Sequence, residues 1–472
     1  MSVLLKSKTL KSGLGYTIGN ILIKGINFLV LPIFSRLMTT EEFGIYNVFI
    51  SYDAILFVII GMALHSSVKS ANIRFKDHID EYISSVSLIY IFNTAILILL
   101  SIILGDVITG IIQFSLPVII LLVLYSFGTA VLTLYNYRIS LEYSYKKYLI
   151  VAAINSFGNV SFSLLFILTV FNDDRSFGRI LGSTITLVLI AVLLLISFYR
   201  KARPKFNHAY IKYGVKYSLP IIPHGISQVL LSQFDRIMIR HMINDSAVGI
   251  YSLAGNLKLI LVIITDSIST VWSTWFYENI SKEKNDVKQA SGCLLLFFSI
   301  LSVGMISISP ELIMIIGGNN YVNSRFVAIP MVVDTFVIFI YNIIVPAEYY
   351  SEKTSYIMYG TLIASVLNII LNYIFINCFG YLAAAYTTLF SYVVYTSLHM
   401  FFVKKVLKFD TLPFKETAIS AMMVAIVSVL DLLFINSIVL RYSICLFAIS
   451  FIVYNLLKQR LIHEKIEKMR RK

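Results

Sequence analysis

The sequence predicts an all-α polytopic membrane protein of about fourteen transmembrane helices, arranged as two pseudo-symmetric six-helix lobes followed by two extra C-terminal helices. Three observations carry the prediction. Of the 472 residues, 58% are hydrophobic and only 14% charged, and mean hydropathy is +0.82, a balance no soluble domain has. Runs of about twenty apolar residues, each able to cross a bilayer as a helix, recur from end to end. They are continuously apolar instead of alternating, which excludes a membrane β-barrel. Finally, Phe43-Gly44-Ile45-Tyr46 returns as Val248-Gly249-Ile250-Tyr251, the sign of a repeated half.

The apolar segments fall at residues 13–35, 45–64, 82–104, 114–136, 148–170, 178–199, 217–240, 249–276, 289–309, 325–347, 357–376, 382–403, 415–435 and 438–457. Their flanks explain the net charge of +14. With a cytoplasmic N-terminus, 30 of the 39 Lys and Arg fall in inner loops and tails, against six in outer loops: Arg36, Arg175, Arg179, Arg240, Arg325 and Arg441. The positive-inside rule then places both ends in the cytoplasm. The basic balance is topological and does not point to nucleic acid. Cys293, Cys378 and Cys445 lie in unrelated segments, without disulfide or zinc spacing. Lys6, Lys8 and Lys11 precede the first apolar run as in a signal peptide. That run is too long, contains Lys24 and lacks a small-residue cleavage site, so it reads as helix one.

Helix one carries Asn20, Lys24 and Asn27 at i, i+4 and i+7, a polar stripe expected to face protein or a water-filled cavity. Thr39-Thr40-Glu41-Glu42 reads as the N-terminal cap of helix two, which buries Asp53. Asn155 and Asn159 in helix five read as a packing seam. Arg200 to Lys216 is a six-cation inner connection whose expected partners are anionic headgroups. The segment after it holds Pro220, Pro223 and the adjacent Asp235 and Arg236. A charge at mid-membrane costs about 2.5–3.5 kcal/mol on insertion scales, and consecutive helix positions point about 100° apart, so each of the two is expected to seek a partner on another helix, as a structural clamp near the outer gate.

An offset of 205 lays Gly44 on Gly249 and sets Asp53 against Lys258. Both blocks run inward to inward, so the repeat is expected to be parallel. The implied domains are a first lobe (1–200), a basic linker (201–216), a second lobe (217–403) and the two additional helices with a basic tail (404–472). Val271 to Tyr277 reads as an interfacial aromatic belt. Asp334 lies between Pro330 and Pro346 in helix ten, and Ser365, Asn368 and Asn372 share a face of helix eleven. No paired outer carboxylates, histidine cluster or phosphate-binding loop are present. An enzyme is therefore not expected, nor a cofactor; a transporter, channel or scaffold is.

At Arg36 to Tyr46 the chain resembles the Wzx-type polysaccharide-transport proteins, flippases for lipid-linked oligosaccharides in the multidrug/oligosaccharidyl-lipid/polysaccharide exporter superfamily. Leu219-Pro220-Ile221-Ile222-Pro223, Asp235 to Ile239, Val248 to Ser252 and Trp272 to Glu278 extend the resemblance. It implies two six-helix lobes around a central cavity. It also implies outward transfer of an undecaprenyl-pyrophosphate-linked repeat unit for O-antigen, capsule or exopolysaccharide, with polysaccharide polymerase and chain-length regulator as companions. The family often has a lysine where this chain has Asn256; Lys258 is two positions on, roughly 200° around the helix.

A pyrophosphate must cross a core about 30 Å thick, which needs positive charge partway along a wet path. Lys24 and Lys258 lie about ten residues, ~15 Å, from the outer ends of their segments. Asp53 and Asp334 share that depth and are expected to balance the lysines or to carry a coupling proton or sodium ion. Three other readings stand beside this one: a cation-coupled drug exporter, a peptidoglycan-precursor flippase, and a non-transporting scaffold of a glycan-assembly complex.

Overall fold

The computed structural model describes residues 19, 25, 26, 28–280 and 284–470, and every regular element among them is helical. The helices are α1 (Phe28–Leu37), α2 (Thr40–Gly61), α3 (Val68–Arg74), α4 (Ile79–Ile103), α5 (Gly105–Ile112), α6 (Leu116–Leu141), α7 (Tyr145–Thr169), α8 (Arg175–Lys201), α9 (His208–Ser218), α10 (Ile222–Met242), α11 (Asp245–Asn279), α12 (Lys284–Gly317), α13 (Ser324–Tyr350), α14 (Thr354–Phe379), α15 (Leu382–Phe401), α16 (Phe414–Leu433) and α17 (Ile438–Arg470). Among the described residues, eleven are long and apolar enough to cross a membrane: α2, α4, α6, α7, α8, α11, α12, α13, α14, α16 and α17. The chain is a multi-pass membrane protein. Helices α10 and α15 also stand where spans are expected, but they are more polar; Gln228, Ser232, Gln233, Asp235 and Arg236 lie on the first.

One expected segment is corrected. The apolar run 217–240 is not a single helix: α9 stops at Ser218 and α10 begins at Ile222. Pro220 falls in the break, where it has no N–H to offer and its ring blocks the turn before it. Pro223 is the second residue of α10, where a missing N–H costs nothing. The basic connection is likewise part helix. Asn207 caps α9 by accepting from Ala209 N at 3.0 Å, and Tyr213 bonds Ser70 at 2.6 Å. Ser85 donates to the Lys205 carbonyl at 2.6 Å. The connection is strapped to α3 and α4, not a free tether.

Packing divides the chain into two compact units, Met1–Arg240 with Asn244–Gly249, and His241–Ile243 with Ile250–Lys472. In the first, α2, α4 and α8 pack on α6, and α7 packs on α8. The start of α2 is held by a reciprocal cap. Glu42 N donates to Thr39 Oγ1 (3.1 Å) while Thr39 N donates to Glu42 Oε2 (2.7 Å). There α2 crosses the first turns of α11, and Thr40 Oγ1 meets Ser246 Oγ at 2.7 Å. Only glycine fits the crossing. A Cβ on Gly44 would lie 1.8 Å from the Asp245 carbonyl oxygen, and one on Gly249 would lie 1.9 Å from that of Thr40. The repeated sequence motif is thus a pair of mutual contacts between corresponding turns.

In the second unit, α12 packs against α13, α16 and α17, and α14 and α15 pair. The last two helices are pinned to α12 by polar groups. Ser307 donates to Asp431 Oδ2 at 2.5 Å. Arg441 forms a two-pronged pair with Glu311 and donates to the Ser307 carbonyl. The residues Trp272 and Phe276, expected in an interfacial belt, face inward at i and i+4: both are buried, and the Trp272 indole donates to the Ile343 carbonyl at 2.9 Å.

The repeat is legible in the contacts themselves. Thr129 on α6 bonds Asp53 on α2; at the same offset of 205, Asp334 on α13 bonds Lys258 on α11. Ser163 and Ser183 meet between α7 and α8, and the corresponding Asn368 and Thr388 meet between α14 and α15. The two units share one register.

Candidate functional site

In the first unit the site is built on one face of α2. Asp53 is buried, 8% exposed. Thr129 donates to its Oδ2 at 3.4 Å, and among the described residues Oδ1 has no hydrogen-bond partner. Seven residues earlier, about 10 Å along the helix, Tyr46 bonds Ser183 at 3.3 Å. Its ring and that of Phe34 each lie 3.9 Å from the Arg179 guanidinium carbon. This cation–π arrangement places a positive charge above the carboxylate on the same helix face. Asn20, Lys24 and Asn27 lie outside the described residues.

In the second unit, Lys258 Nζ is 3.0 and 3.2 Å from the two oxygens of Asp334. Asp334 is fully buried, whereas a fifth of the Lys258 side chain (21%) is exposed. Thr335 adds a bond to Asp334 Oδ1 at 3.1 Å. A buried carboxylate held by an ammonium and a hydroxyl has its lone pairs largely met, the condition under which a buried pair persists. The structure therefore brings Lys258 and Asp334 together.

Asp235 and Arg236 sit on α10. Asp235 is buried, and Arg236 leans back along its own helix, bonding Gln233 Oε1 at 2.6 Å, with Nη1 4.0 Å from Asp235 Oδ1. Ser232 and Gln228, one and two turns before Arg236, are exposed. Polar side chains exposed at membrane depth belong beside water, not lipid.

The model of the family described as polysaccharide biosynthesis protein matches residues 9–280, more than half of the chain. The chain belongs to that family. It is 25% identical over 171 residues to Lsg locus putative protein 1 of Haemophilus influenzae, a match covering 36% of this chain and 43% of that protein. It thus spans less than half the length of that relative. An uncharacterized membrane protein of the same organism is 22% identical over 366 residues, 75% of this chain and 86% of that one. The fold is that of the lipid II flippase MurJ in an inward closed conformation, with a TM-score of 0.72 at 16% identity over 94% of this chain and 99% of that chain. An inward-facing multidrug resistance MATE family transporter of the MOP superfamily follows, with a TM-score of 0.58 at 12% identity over 83% and 94%.

This family member also carries polar groups that the sequence reading placed elsewhere. The six arginines counted in outer loops all lie at helix ends, and four of them are tied there by named contacts. Besides Arg179 and Arg441, Arg175 at the start of α8 donates through its backbone N to Glu42 Oε1 at 3.1 Å and through its guanidinium to the Leu37 carbonyl. Arg240 lies 3.2 Å from Asp245, donates to the Gln113 carbonyl at 2.7 Å and covers the Phe114 ring. A count of loop charges registers such residues only as charge; their partners are more than a hundred positions away or across a turn. The polar face of α14 is a buried seam: Asn368 donates to Thr388 at 3.0 Å, Asn372 to Asn368 at 3.1 Å, and Thr387 to Asn372.

Proposed function

We propose that the protein is a flippase that moves a lipid-linked oligosaccharide, carried on undecaprenyl pyrophosphate, from the inner to the outer face of the bacterial cytoplasmic membrane. Both termini are cytoplasmic in this reading, as the distribution of Lys and Arg favours. The observation that carries it is membership of the polysaccharide biosynthesis family, in a chain whose mid-span charges recur at one register. An anionic headgroup needs compensating charge partway across the core. Lys24 is the principal anion contact, flanked by Asn20 and Asn27; Lys258, held by Asp334, is the second basic group. Asp53 and Asp334 balance these charges when substrate is absent or take a coupling cation. Asp235 and Arg236 form a clamp, and the basic connection around α9 rests on anionic headgroups.

Deletion of the gene tests the reading. Surface polysaccharide should be lost and lipid-linked saccharide should accumulate on the cytoplasmic face; complete surface polysaccharide without that build-up rules it out. Within the site, Lys24→Ala should abolish export at normal abundance and Lys24→Arg should restore part of it, since both cations meet phosphate. Export regained by adding Asp53→Ala would make Lys24 a packing partner instead. A second reading, a peptidoglycan-precursor flippase, is favoured by the fold similarity to MurJ. It predicts that the chain supports growth of cells depleted of their lipid II flippase.

A further inference from the structure

In the second unit, the end of α12, the start of α13, the turn after α16 and the start of α17 border a cavity of about 410 Å³. Neither Lys258 nor Asp334 lines it. Pro310 shapes one wall. It lies inside α12 and has no N–H for the Ile306 carbonyl, which the Ser309 hydroxyl meets instead at 2.8 Å. The next carbonyl, that of Ser307, accepts from the Arg441 guanidinium, whose two ends also grip Glu311. Arg441 is thereby held in one orientation, and only 2% of it is exposed.

Two donors are left over. Nε of Arg441 and Nε of Arg325 are both buried with no hydrogen-bond partner among the described residues, and both arginines line the cavity. A buried N–H without an acceptor has given up its bond to water and gained nothing in return. The charges are unequal as well. Glu311 is met by Arg441, and Asp431, which does not line the cavity, accepts from Ser307 at 2.5 Å. The Arg325 guanidinium lies 5.0 Å from the Phe326 ring, a neutral neighbour. Among the lining residues, two guanidiniums face one carboxylate, an excess of one positive charge. Helix packing does not demand this cation: at the offset of 205, Arg325 corresponds to Ile120 on α6.

The rim indicates the source of a ligand. Met314, Ile315 and Ile438 line the cavity and are 39, 62 and 57% exposed. On membrane-crossing helices, a cluster of exposed apolar side chains is a surface for lipid. Arg325 and Arg441 lie within about one turn of the starts of α13 and α17, so the polar floor stands at headgroup depth. The distribution of Lys and Arg makes this the outer face.

We propose that the cavity is a phosphate-binding site filled by one phospholipid of the outer leaflet. A phosphodiester carries one negative charge, which matches the excess in the lining. Its oxygens accept from the planar Arg325 fork, a geometry suited to phosphate, with Arg441 Nε as the second donor. The acyl chains run along Met314, Ile315 and Ile438. The lipid thus bridges α13 and α17.

This binding stands apart from the flippase reading and is measured without saccharide. The test is native mass spectrometry of the full chain, delipidated in detergent and titrated with phosphatidylglycerol. One copy should bind above the weak background of surrounding lipid. Arg325→Gln, which breaks no ion pair, should weaken that copy about tenfold, the scale of one charged hydrogen bond. Arg325→Lys should weaken it less, because it keeps the charge and loses only the fork. Diacylglycerol with the same chains should not fill the site, and millimolar inorganic phosphate should not displace the lipid. If Arg325→Gln fails to accumulate, the lysine variant and the diacylglycerol comparison carry the test. Absence of a tight copy, a copy unchanged by both substitutions, or equal binding of diacylglycerol overturns the proposal. Displacement by inorganic phosphate would make the cavity a free-anion site and overturn its lipid occupant.

Discussion

At the fourteenth position of α2 the first unit carries Asp53, and at the fourteenth position of α11 the second carries Lys258. Asp53 meets α6 and Lys258 meets α13, at corresponding residues, yet the partners differ: a threonine hydroxyl at 3.4 Å for Asp53, a carboxylate at 3.0 Å for Lys258. The backbone register has been kept while the charge has been changed. The difference shows which features belong to the fold and which to the site. The glycine crossing and the α7–α8 and α14–α15 seams recur in both halves, so they serve packing. The charged positions Asp53 and Lys258 diverge, and so do their partners Thr129 and Asp334.

The largest expected effect comes from breaking the second unit's pair. Lys258→Ala leaves the fully buried Asp334 carboxylate without its ammonium partner and should cost about 3–5 kcal/mol, seen as reduced abundance and a lower unfolding temperature. Asp53→Ala should cost less, because one long hydroxyl bond is lost; equal losses would contradict the contrast between the units. Next comes the shared crossing. Gly44→Ala and Gly249→Ala each push a methyl into the opposite helix, and overpacking of this kind costs about 1–3 kcal/mol. The contact is mutual, so the two variants should lose similar amounts in thermal unfolding.

The smallest effect concerns pH. Glu142, at the end of α6, lies beside Arg138, Lys147 and Lys201. Burial pushes its carboxyl up, but the neighbouring cations outweigh this and hold it below the ordinary carboxylate value. A folded-state value lowered in this way gives stability that is complete at neutral pH and lost as the pH falls through it. The second unit has Ala347 at that register. Glu142→Gln should therefore destabilise by at most about 1 kcal/mol at neutral pH, and its deficit should vanish once the pH has fallen through that lowered value. A deficit that persists in acid would mean the residue acts by packing.

Much of the fold was legible in the sequence because membrane helices announce themselves by composition. The cap at Thr39 and Glu42 and the repeat at Gly44 and Gly249 were legible because they are local patterns. The break at Pro220 was missed because the apolar run continues across it, and hydropathy does not register a missing N–H. Trp272 was misplaced for a related reason: an aromatic run near a helix end looks interfacial until the opposing Ile343 carbonyl is known. Of the site, Lys258 and Asp334 were each identified by a charge inside an apolar segment. Their pairing across 76 positions is a tertiary fact. Glu348 and His399, whose buried side chains meet at 2.8 Å between α13 and α15, lie toward the edges of segments, and only folding turns those edges inward.

We propose that the diverged charges serve transport while the shared contacts serve the fold. Replacing the pair together, as Lys258→Met with Asp334→Leu, removes both charges while keeping volume, and such replacements of buried pairs are often neutral or stabilising. Export of lipid-linked saccharide by this double variant, measured at matched membrane abundance in a deletion strain, separates the two roles. Normal abundance with export lost is expected if the charges serve transport; normal abundance with normal export would reduce the pair to packing.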